Sequence, residues 1–366
     1  MTWTVQDYQF MSRAIQLAKR GRYTCKPNPQ VGCVISKNGQ LIAEGWHAIT
    51  GEEHAEINAL NQCDDASGSS VYITLEPCSH HGRTSPCVET LIKAKVKEVI
   101  IAMLDPNPLV SGAGVKQLQD SGISVRQGLL EAETAKLNTG FIKRMQSELP
   151  YVCCKMAMSL DGRTALENGD SQWISSEQSR LDVHRLRAAS SAIVTTVDTV
   201  INDDASLNAR SLDFDVKQPL RIILDRQLKI SGKENIFSIP VDVSGKIIIY
   251  TEKENDERIN ELKNSNTDVV SVAKSELWLK NVFTHMAKEY EINDVMVEAG
   301  ATFSGALIEA GLVDELVIYM ASKLFGDNAQ PLIRLNLLSK INDAREMELA
   351  DMRRVGKDLK LTYKFT

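Results

Sequence analysis

His54-Ala-Glu56, followed downstream by Pro-Cys78 and then by Cys87, carries the most specific chemical signal in this chain. One histidine and two cysteines supply three nitrogen and sulfur ligands of the kind that zinc prefers, and they leave the fourth tetrahedral position to water, as in catalytic zinc sites. Bound zinc lowers the pKa of that water to about 7. Glu56, which is not needed as a ligand, can carry protons to a departing amine. We therefore predict a zinc centre of His54, Cys78 and Cys87 with Glu56 as the catalytic acid and base.

The spacing of these residues limits which class of zinc protein they indicate. H-x-E followed by P-C and a second cysteine is the signature of zinc-dependent deaminases of bases and nucleosides, but those that edit nucleic acids have two residues between the cysteines. Eight lie between Cys78 and Cys87. A structural zinc site or two buried thiols are alternatives, although the joint occurrence of H-A-E, a strand-like run at 71–75 and P-C favours catalysis. Because positions two apart do not face each other on a helix, His54 and Glu56 are expected at a helix start. His80 and His81 either contact the substrate or its surroundings or are plain loop residues.

Length and composition limit the class of protein. With 366 residues, the chain is expected to form two domains, at ~150 residues per domain. A net charge of −6 and the lack of a long Lys/Arg run argue against a nucleic-acid partner. No apolar stretch approaches the ~20 residues that a membrane helix needs, and the first residues lack the pattern of a signal peptide. Seven cysteines without an export signal fit a reducing compartment, so we expect a cytoplasmic protein.

The first half alternates predicted helices and strands. Helices are predicted over 7–20, 55–63, 115–120 and 132–145, and strands over 71–75, 98–103 and 123–125. Asn38-Gly39 is a strong turn signal for a hairpin over 31–46. This alternation indicates a layered α/β domain with a partly parallel sheet. Pro150 marks its end, which gives expected domains of 1–148 and 149–366. Asn28, in a stiff Pro-rich turn, is either a loop residue or a hydrogen-bonding arm of the substrate pocket.

The second half repeats this alternation. Strands are predicted over 151–159, 192–196, 220–225, 246–251, 295–297, 314–321 and 359–365, and a helix over 177–189 with a capping box from Ser175 to Gln178. Gly300 to Gly305 joins a strand to a helix, where backbone N–H groups can bind phosphate. Two glycines there can equally be turn residues, and the segment is not the G-x-G-x-x-G fingerprint. Arg187 and Arg210 either grip phosphate or are solvated surface charges.

Several motifs together resemble one known family. They are Asn28-Pro-Gln-Val-Gly32, His54-Ala-Glu56, the run from Pro77 to Thr84, and Asp105-Pro-Asn-Pro108. They are similar to the bifunctional riboflavin-biosynthesis deaminase/reductase family, and the resemblance covers nearly all of the chain. It implies a cytidine-deaminase-like, three-layer α/β domain in the first half and a dihydrofolate-reductase-like α/β domain in the second. It also implies one zinc ion per chain, bound by His54, Cys78 and Cys87, and NADPH as the cofactor.

The resemblance also assigns residues in the second half. The family's substrate positions fall on Ser171, Arg187, Leu207, Arg210 and Glu298. Its cofactor positions fall on Ala157, Trp173, Thr199, Asp203, Gly300, Ala301, Thr302, Phe303, Ser304, Gly305 and Ala306. From the residues alone, Trp173 is either a core anchor or a ring that packs beside a cofactor.

Two consecutive reactions are implied. Zinc-bound hydroxide would deaminate 2,5-diamino-6-ribosylamino-4(3H)-pyrimidinone 5′-phosphate while Glu56 moves the protons, and NADPH would then reduce the ribosyl group to ribityl. Arg187 and Arg210 would hold the 5′-phosphate. Related enzymes associate through their reductase domains, so we expect a homo-oligomer, either a dimer or a tetramer. Two other classes stay open. One is a nucleoside or tRNA-editing zinc deaminase with an accessory domain, which would need a basic surface, and the other is a zinc-stabilised interaction module without turnover.

Overall fold

The computed structural model of the chain defines residues 2–79, 86–108, 110–210, 213–254 and 257–365. These residues form two units, Met1–Glu148 and Leu149–Thr366. Each unit buries apolar side chains against both faces of a sheet of its own. In the described ranges, no helix is both long enough and apolar enough to cross a membrane.

The first unit alternates helices with the strands of a five-stranded sheet. Its helices are α1 (Val5–Ala18), α2 (Ala55–Leu60), α3 (Cys87–Lys93), α4 (Ala113–Asp120), α5 (Glu131–Ala135) and α6 (Thr139–Ser147). Its strands are β1 (Gly32–Lys37), β2 (Gln40–Trp46), β3 (Ser70–Leu75), β4 (Glu98–Met103) and β5 (Ser124–Gln127). A short 3-10 helix, Lys19–Gly21, follows α1. The strand order is β2-β1-β3-β4-β5, antiparallel around β1 and parallel from β3 to β5.

Alternation of side chains along the strands produces three layers. In β3, Val71 and Ile73 pack in a cluster with α2, α3 and α4, whereas Tyr72 packs on the opposite face in a cluster with α1. The predicted hairpin is confirmed: Asn38 and Gly39 have φ of 53° and 72°, the two positive values that a type I′ turn requires. The sheet, covered by helices on both faces, is therefore the predicted three-layer α/β domain.

The second unit is built on a nine-stranded sheet. Its longer strands are β6 (Tyr151–Ser159), β8 (Ala192–Thr196), β9 (Leu220–Leu224), β10 (Ile247–Thr251), β11 (Thr267–Ser271), β12 (Asp294–Val297), β13 (Glu315–Ala321), β15 (Met347–Val355) and β16 (Asp358–Phe365). A separate pair is formed by β7 (Arg163–Ala165) and β14 (Gln330–Pro331). The helices are α7 (Glu177–Ala189), α8 (Val197–Asp203), α9 (Asn235–Ser238), α10 (Glu257–Leu262), α11 (Trp278–Glu289) and α12 (Ala301–Glu309), with 3-10 turns at Val241–Val243 and Ile341–Asp343.

The order of the large sheet is β11-β10-β9-β8-β12-β6-β13-β16-β15. The seven strands from β11 to β13 are parallel to their neighbours, and β16 and β15 are antiparallel. One face packs against α11 and α12, and the other against α7, α8, α9 and α10. Because the carboxyl ends of parallel strands share one edge, the connections after β6, β8 and β12 emerge side by side, which is where open α/β sheets bind ligands.

The structure corrects three predictions of local structure. The helix predicted over 132–145 is two helices, α5 and α6, because the Asn138 carboxamide leaves the helix to bind the backbone of Gln30. The Gln30 N–H donates to Asn138 Oδ1 at 2.8 Å, and Asn138 Nδ2 donates to the Gln30 carbonyl at 3.0 Å. The capping box at Ser175 was wrong: the N-cap of α7 is Ser176, whose hydroxyl accepts from the Ser179 N–H. The helix predicted over 55–63 ends at Leu60.

Candidate active sites

Three candidate metal ligands meet in the first unit. His54 is the N-cap of α2, Cys78 follows β3, and Cys87 is the first residue of α3. His54 Nδ1 lies 3.5 Å from Cys78 Sγ and 3.3 Å from Cys87 Sγ, and the three ligand atoms all lie within 4.8 Å of one another. The three residues therefore come together as the spacing predicted, although each comes from a different element.

This geometry fits zinc. With Zn–N of about 2.0 Å and Zn–S of about 2.3 Å, nitrogen and sulfur ligands of a tetrahedral site lie about 3.6 Å apart. The two N–S distances observed are close to this value. Hydrogen bonds from Cys87 and His54 also hold the pKa of the Cys78 thiol well below its usual range, which favours the thiolate that binds metal. The donor set thus suits a three-ligand zinc site.

Glu56 lies in the first turn of α2, and the prediction of a helix start for His54 and Glu56 is confirmed. Its side chain is buried, with 3% of the residue exposed. Burial raises the pKa of the Glu56 carboxyl to about 7, against the opposing effect of His54. A carboxyl group with this pKa exchanges protons readily near neutral pH.

His47 fixes the amide of Asn28 beside this group. Its Nδ1 lies 3.1 Å from the Glu53 carbonyl and therefore donates, so Nε2 accepts from Asn28 Nδ2 at 3.0 Å. The His47 ring meets the His54 ring edge-on, with centroids 5.4 Å apart. Asn28 is thus held in a defined orientation, as an arm of a pocket would be. His80 and His81 lie outside the described residues.

A buried charge cluster forms in the second unit at the end of β12. Glu298 accepts two hydrogen bonds from the Arg187 guanidinium, at 2.5 Å from Nε and 3.0 Å from Nη2, and Lys155 Nζ lies 3.7 Å from its carboxylate. Burial alone would raise the pKa of Glu298, but Arg187 and Lys155 outweigh it and lower the pKa to about 2. Glu298 is therefore ionised across the physiological range.

Other substrate positions lie around the same cluster. Arg187 Nη1 donates to the Asn208 carbonyl at 3.2 Å, and Arg210 Nη1 donates to Asn208 Oδ1 at 2.9 Å. Leu207, one residue earlier, is buried and adopts a φ of 53°. Arg187, Leu207, Arg210 and Glu298 are thus brought together. Ser171 lies apart from these hydrogen bonds, in the loop before α7.

The predicted cofactor positions follow the carboxyl edge of the sheet. Gly300 is the N-cap of α12, and Ala301 to Ala306 fill the following helical turns. Thr199 and Asp203 lie in α8, directly after β8, and Ala157 lies in β6. Apart from its two chain neighbours, no atom of the described residues lies within 4 Å of where a Cβ of Gly300 would be, so the start of α12 is open to a ligand. Gly305 has a packing role instead, because a Cβ there would overlap the Arg334 carbonyl.

Trp173 is not a core anchor, since 62% of it is exposed. The Arg180 guanidinium lies 4.5 Å from the centre of the Trp173 ring. This exposure leaves the second of the two interpretations, a ring available to a cofactor. The exposed Trp173 ring and the open start of α12 together fit a dinucleotide bound along the carboxyl edge of the large sheet.

Sequence reasoning missed three polar residues that the structure brings into these sites: His47, Lys155 and His184. His184, in α7, is buried, and its Nδ1 lies 3.2 Å from the Asn208 carbonyl. Burial and the nearby Arg187 and Arg210 lower the pKa of His184 to about 4, so its ring is neutral. Lys155 alone gave a signal, as a charged residue inside an otherwise apolar strand.

The two folds and sites define a zinc-binding deaminase domain joined to a reductase domain. Residues 4–103 match the family model of the cytidine and deoxycytidylate deaminase zinc-binding region, and residues 150–361 match that of the RibD C-terminal domain. The riboflavin biosynthesis protein RibD of Escherichia coli K12 is 43% identical over 367 residues, covering 97% of this chain and 98% of that protein. The chain belongs to this family of bifunctional riboflavin biosynthesis proteins.

Solved structures agree over the full length. A RibD structure from Acinetobacter baumannii superposes with a TM-score of 0.91 at 42% identity, covering 99% of both chains. A deaminase/reductase structure from Thermotoga maritima gives a TM-score of 0.85 at 32% identity, again covering 99% of both chains. The predicted fold class, family and two enzyme activities, a zinc-dependent deaminase and an NADPH-dependent reductase, are thereby confirmed. The nucleic-acid-editing alternative is not favoured, because the second unit is a reductase domain.

Proposed function

We propose that the first unit deaminates 2,5-diamino-6-ribosylamino-4(3H)-pyrimidinone 5′-phosphate. Water replaces the amine, so a C–N bond breaks, a C=O bond forms and ammonia leaves. The observation that carries this proposal is the convergence of His54, Cys78 and Cys87 with buried Glu56 beside them. The substrate class is supported by the Thermotoga maritima relative, described as a diaminohydroxyphosphoribosylaminopyrimidine deaminase/5-amino-6-(5-phosphoribosylamino)uracil reductase.

In this proposal, His54 Nδ1, Cys78 Sγ and Cys87 Sγ hold the zinc ion. When bound, zinc supplies a Lewis acid that lowers the pKa of water to about 7. Glu56 takes a proton from the attacking water and delivers it to the adjacent ring nitrogen, then moves the proton of the new hydroxyl group to the amine nitrogen, so that the C–N bond breaks and ammonia leaves. The pKa of about 7 that burial gives this carboxyl supports both halves of the transfer.

The second unit then reduces the ribosyl group to ribityl. NADPH, when bound, would supply a hydride to the sugar carbon attached to nitrogen; the bond from this carbon to the ring oxygen breaks, and that oxygen takes a proton from water to become a hydroxyl group. The cofactor would lie along Ala157, Trp173, Thr199, Asp203 and the Gly300–Ala306 turn, and the substrate against Ser171, Leu207 and the charge cluster. Lys155 and Arg187 face one carboxylate, Glu298, and Arg210 lies nearby on Asn208, so an excess of two positive charges favours a phosphate. Arg210 is the more exposed arginine, so it would contact the phosphate directly.

Glu56→Gln tests the deaminase assignment. The substitution keeps the side-chain volume and the three ligands but removes the proton carrier, so ammonia release should fall by about 10²- to 10⁴-fold. One zinc per chain should remain in atomic absorption, and the reductase activity on the deaminated intermediate should be unchanged. Full ammonia release by this variant would refute the role of Glu56.

We also propose that the chain forms a homo-oligomer, a dimer or a tetramer, through the β15 edge of the reductase sheet. β15 is nine residues long and exposed almost throughout, with Leu349 48% and Met352 61% exposed. A long exposed edge strand with apolar side chains is a natural template for pairing with another chain. The occupant that fits is a second copy, which offers the same edge.

Sedimentation tests this association. The wild type should sediment at a multiple of 40.6 kDa, and Met352→Asp should shift the population toward the single-chain mass. Leu41→Asp, at a leucine of β2 in the other unit that is 49% exposed, should leave the mass unchanged. An unaltered assembly in the Met352 variant would exclude β15 as the interface.

All seven cysteines are free thiols, which supports a reducing compartment such as the cytoplasm.

A further inference from the structure

Glu76, two residues before Cys78, is a buried acid whose carboxylate binds backbone N–H groups. Only 6% of the residue is exposed, and the four hydrogen-bond donors to its carboxylate are all backbone N–H groups. Oε2 accepts from Asp105 at 3.1 Å and Gly112 at 2.9 Å, and Oε1 accepts from Gly114 at 2.9 Å and Val115 at 3.2 Å. Charge-assisted bonds of this kind are stronger than those between neutral groups.

These bonds join two neighbouring strand ends. Glu76 follows β3, and its own N–H donates to the carbonyl of Met103, the last residue of β4. Asp105 is the second residue after β4, and Gly112 is the N-cap of α4. Since β3 and β4 are parallel, the connection between Asp105 and Gly112 emerges beside the segment that carries Cys78. Its described residues, 105–108 and 110–112, therefore begin at the same edge of the sheet as the Cys78 segment.

The start of α4 depends on this carboxylate. Its N-cap, Gly112, has no side chain to cap the helix, so Glu76 satisfies the N–H groups of the second and third helical residues, Gly114 and Val115. Gly114 also packs tightly against this strand end, because a Cβ there would overlap the Pro77 carbonyl. Two interactions therefore set the distance between the start of α4 and the Pro77-Cys78 backbone: the Glu76 hydrogen bonds draw the helix in, and the close packing of Gly114 against the Pro77 carbonyl limits how near it can come.

We propose that Glu76 is a positioning residue of the deaminase, which rests on the proposed function of the first unit. Its carboxylate holds Asp105 and the start of α4 against the Cys78 segment, so that these residues form one wall of the pyrimidine pocket. Glu76 neither binds the metal nor contacts the substrate. Its loss displaces the wall while His54, Cys78 and Cys87 keep their metal.

Glu76→Gln provides the first test, because an amide replaces one acceptor oxygen with a donor that faces backbone N–H groups. The deaminase kcat/KM should fall by about 10- to 100-fold, mainly through a higher KM, since an ångström of misplacement can change rates on this scale. Atomic absorption should still give one zinc per chain. Hydrogen exchange should be faster at Gly112, Gly114 and Val115, which a loss of substrate contact alone would not cause.

Gly114→Ala provides an independent test with the carboxylate intact. The added methyl group meets the Pro77 carbonyl, so the same wall moves and the same rise in KM is expected. Glu98→Gln is the matched control: its carboxylate accepts from Ser70 and Arg126 at the opposite end of β4 and should leave the deaminase KM within twofold. The reductase activity of each variant reports the integrity of the rest of the chain.

Two outcomes overturn the proposal. One is a deaminase kcat/KM within twofold of the wild type in both the Glu76 and Gly114 variants. The other is loss of zinc in step with loss of activity, which would make Glu76 a support of the metal site rather than of the pocket wall. A wild-type chain that releases no ammonia from the pyrimidinone phosphate would instead refute the proposed function.

Discussion

Glu298 shows how a single residue balances opposite electrostatic effects. Its burial favours the neutral acid, but the bidentate Arg187 and nearby Lys155 favour the carboxylate more strongly and lower its pKa to about 2. Removing one partner of such a cluster leaves the others buried without a counter-charge. The cluster is consequently held together only while Glu298 is ionised.

The stability of the reductase unit should therefore depend on pH in a defined window. The folded pKa of Glu298 is lowered from 4.5 to about 2, so its contribution is fully present above about pH 4.5 and is lost as pH falls toward 2. A shift of this size corresponds to about 3 kcal/mol. Urea unfolding of wild type and Glu298→Gln should give a difference in unfolding free energy that shrinks between pH 5 and pH 3. A difference that stays constant across this range would contradict the assignment.

Among the elements, the α5–α6 junction shows where sequence patterns stop being informative. The apolar periodicity over 132–145 is helical on both sides of the break, but nothing local reveals that Asn138 bonds to Gln30, 108 residues earlier. By contrast, β4, β6 and β8 have the predicted bounds, because their apolar runs are flanked by turn residues. The exposed β15 has four charged side chains among its nine residues and no continuous apolar run, so it carried no such signal and was not predicted.

Asn138→Ala should destabilise the first unit by about 1–3 kcal/mol, because it removes two hydrogen bonds from a buried carboxamide and leaves the half-buried N–H and carbonyl of Gln30 without these partners. The expected readout is a lower urea midpoint for the unfolding of the first unit, with unchanged reductase activity. Asn61→Ala removes an exposed bond to Glu53 and should change the free energy of unfolding by less than about 0.5 kcal/mol. Equal effects of the two substitutions would mean that the junction is not held by Asn138.

Site residues that lie close together in the sequence could be predicted, whereas those that lie far apart could not. His54, Cys78 and Cys87 come within 34 positions and follow a known spacing, so the sequence alone brought them together. Lys155 and Glu298 lie 143 positions apart, and only the pairing of β6 with β12 makes them neighbours. Such contacts depend on strand order, which periodicity does not encode.

At the scale of the whole molecule, the two units contain separate cores and separate sites. Removing zinc with a chelator should therefore abolish ammonia release but leave NADPH oxidation with the deaminated intermediate within twofold of the untreated rate. Readdition of zinc should restore deamination. Parallel loss of both activities on chelation would show that the reductase also depends on the metal.

The strand order of the two sheets has a consequence for synthesis on the ribosome. In the first unit, each strand pairs with partners that are close in the chain, so this sheet can form completely as soon as β5 has left the ribosome. In the second unit, β6 is made first, yet its partners β12 and β13 begin only at residues 294 and 315. During translation, β6 must therefore stay without its neighbours until residues 294–321 have been made, which exposes its apolar side chains to aggregation for longer than those of the first unit.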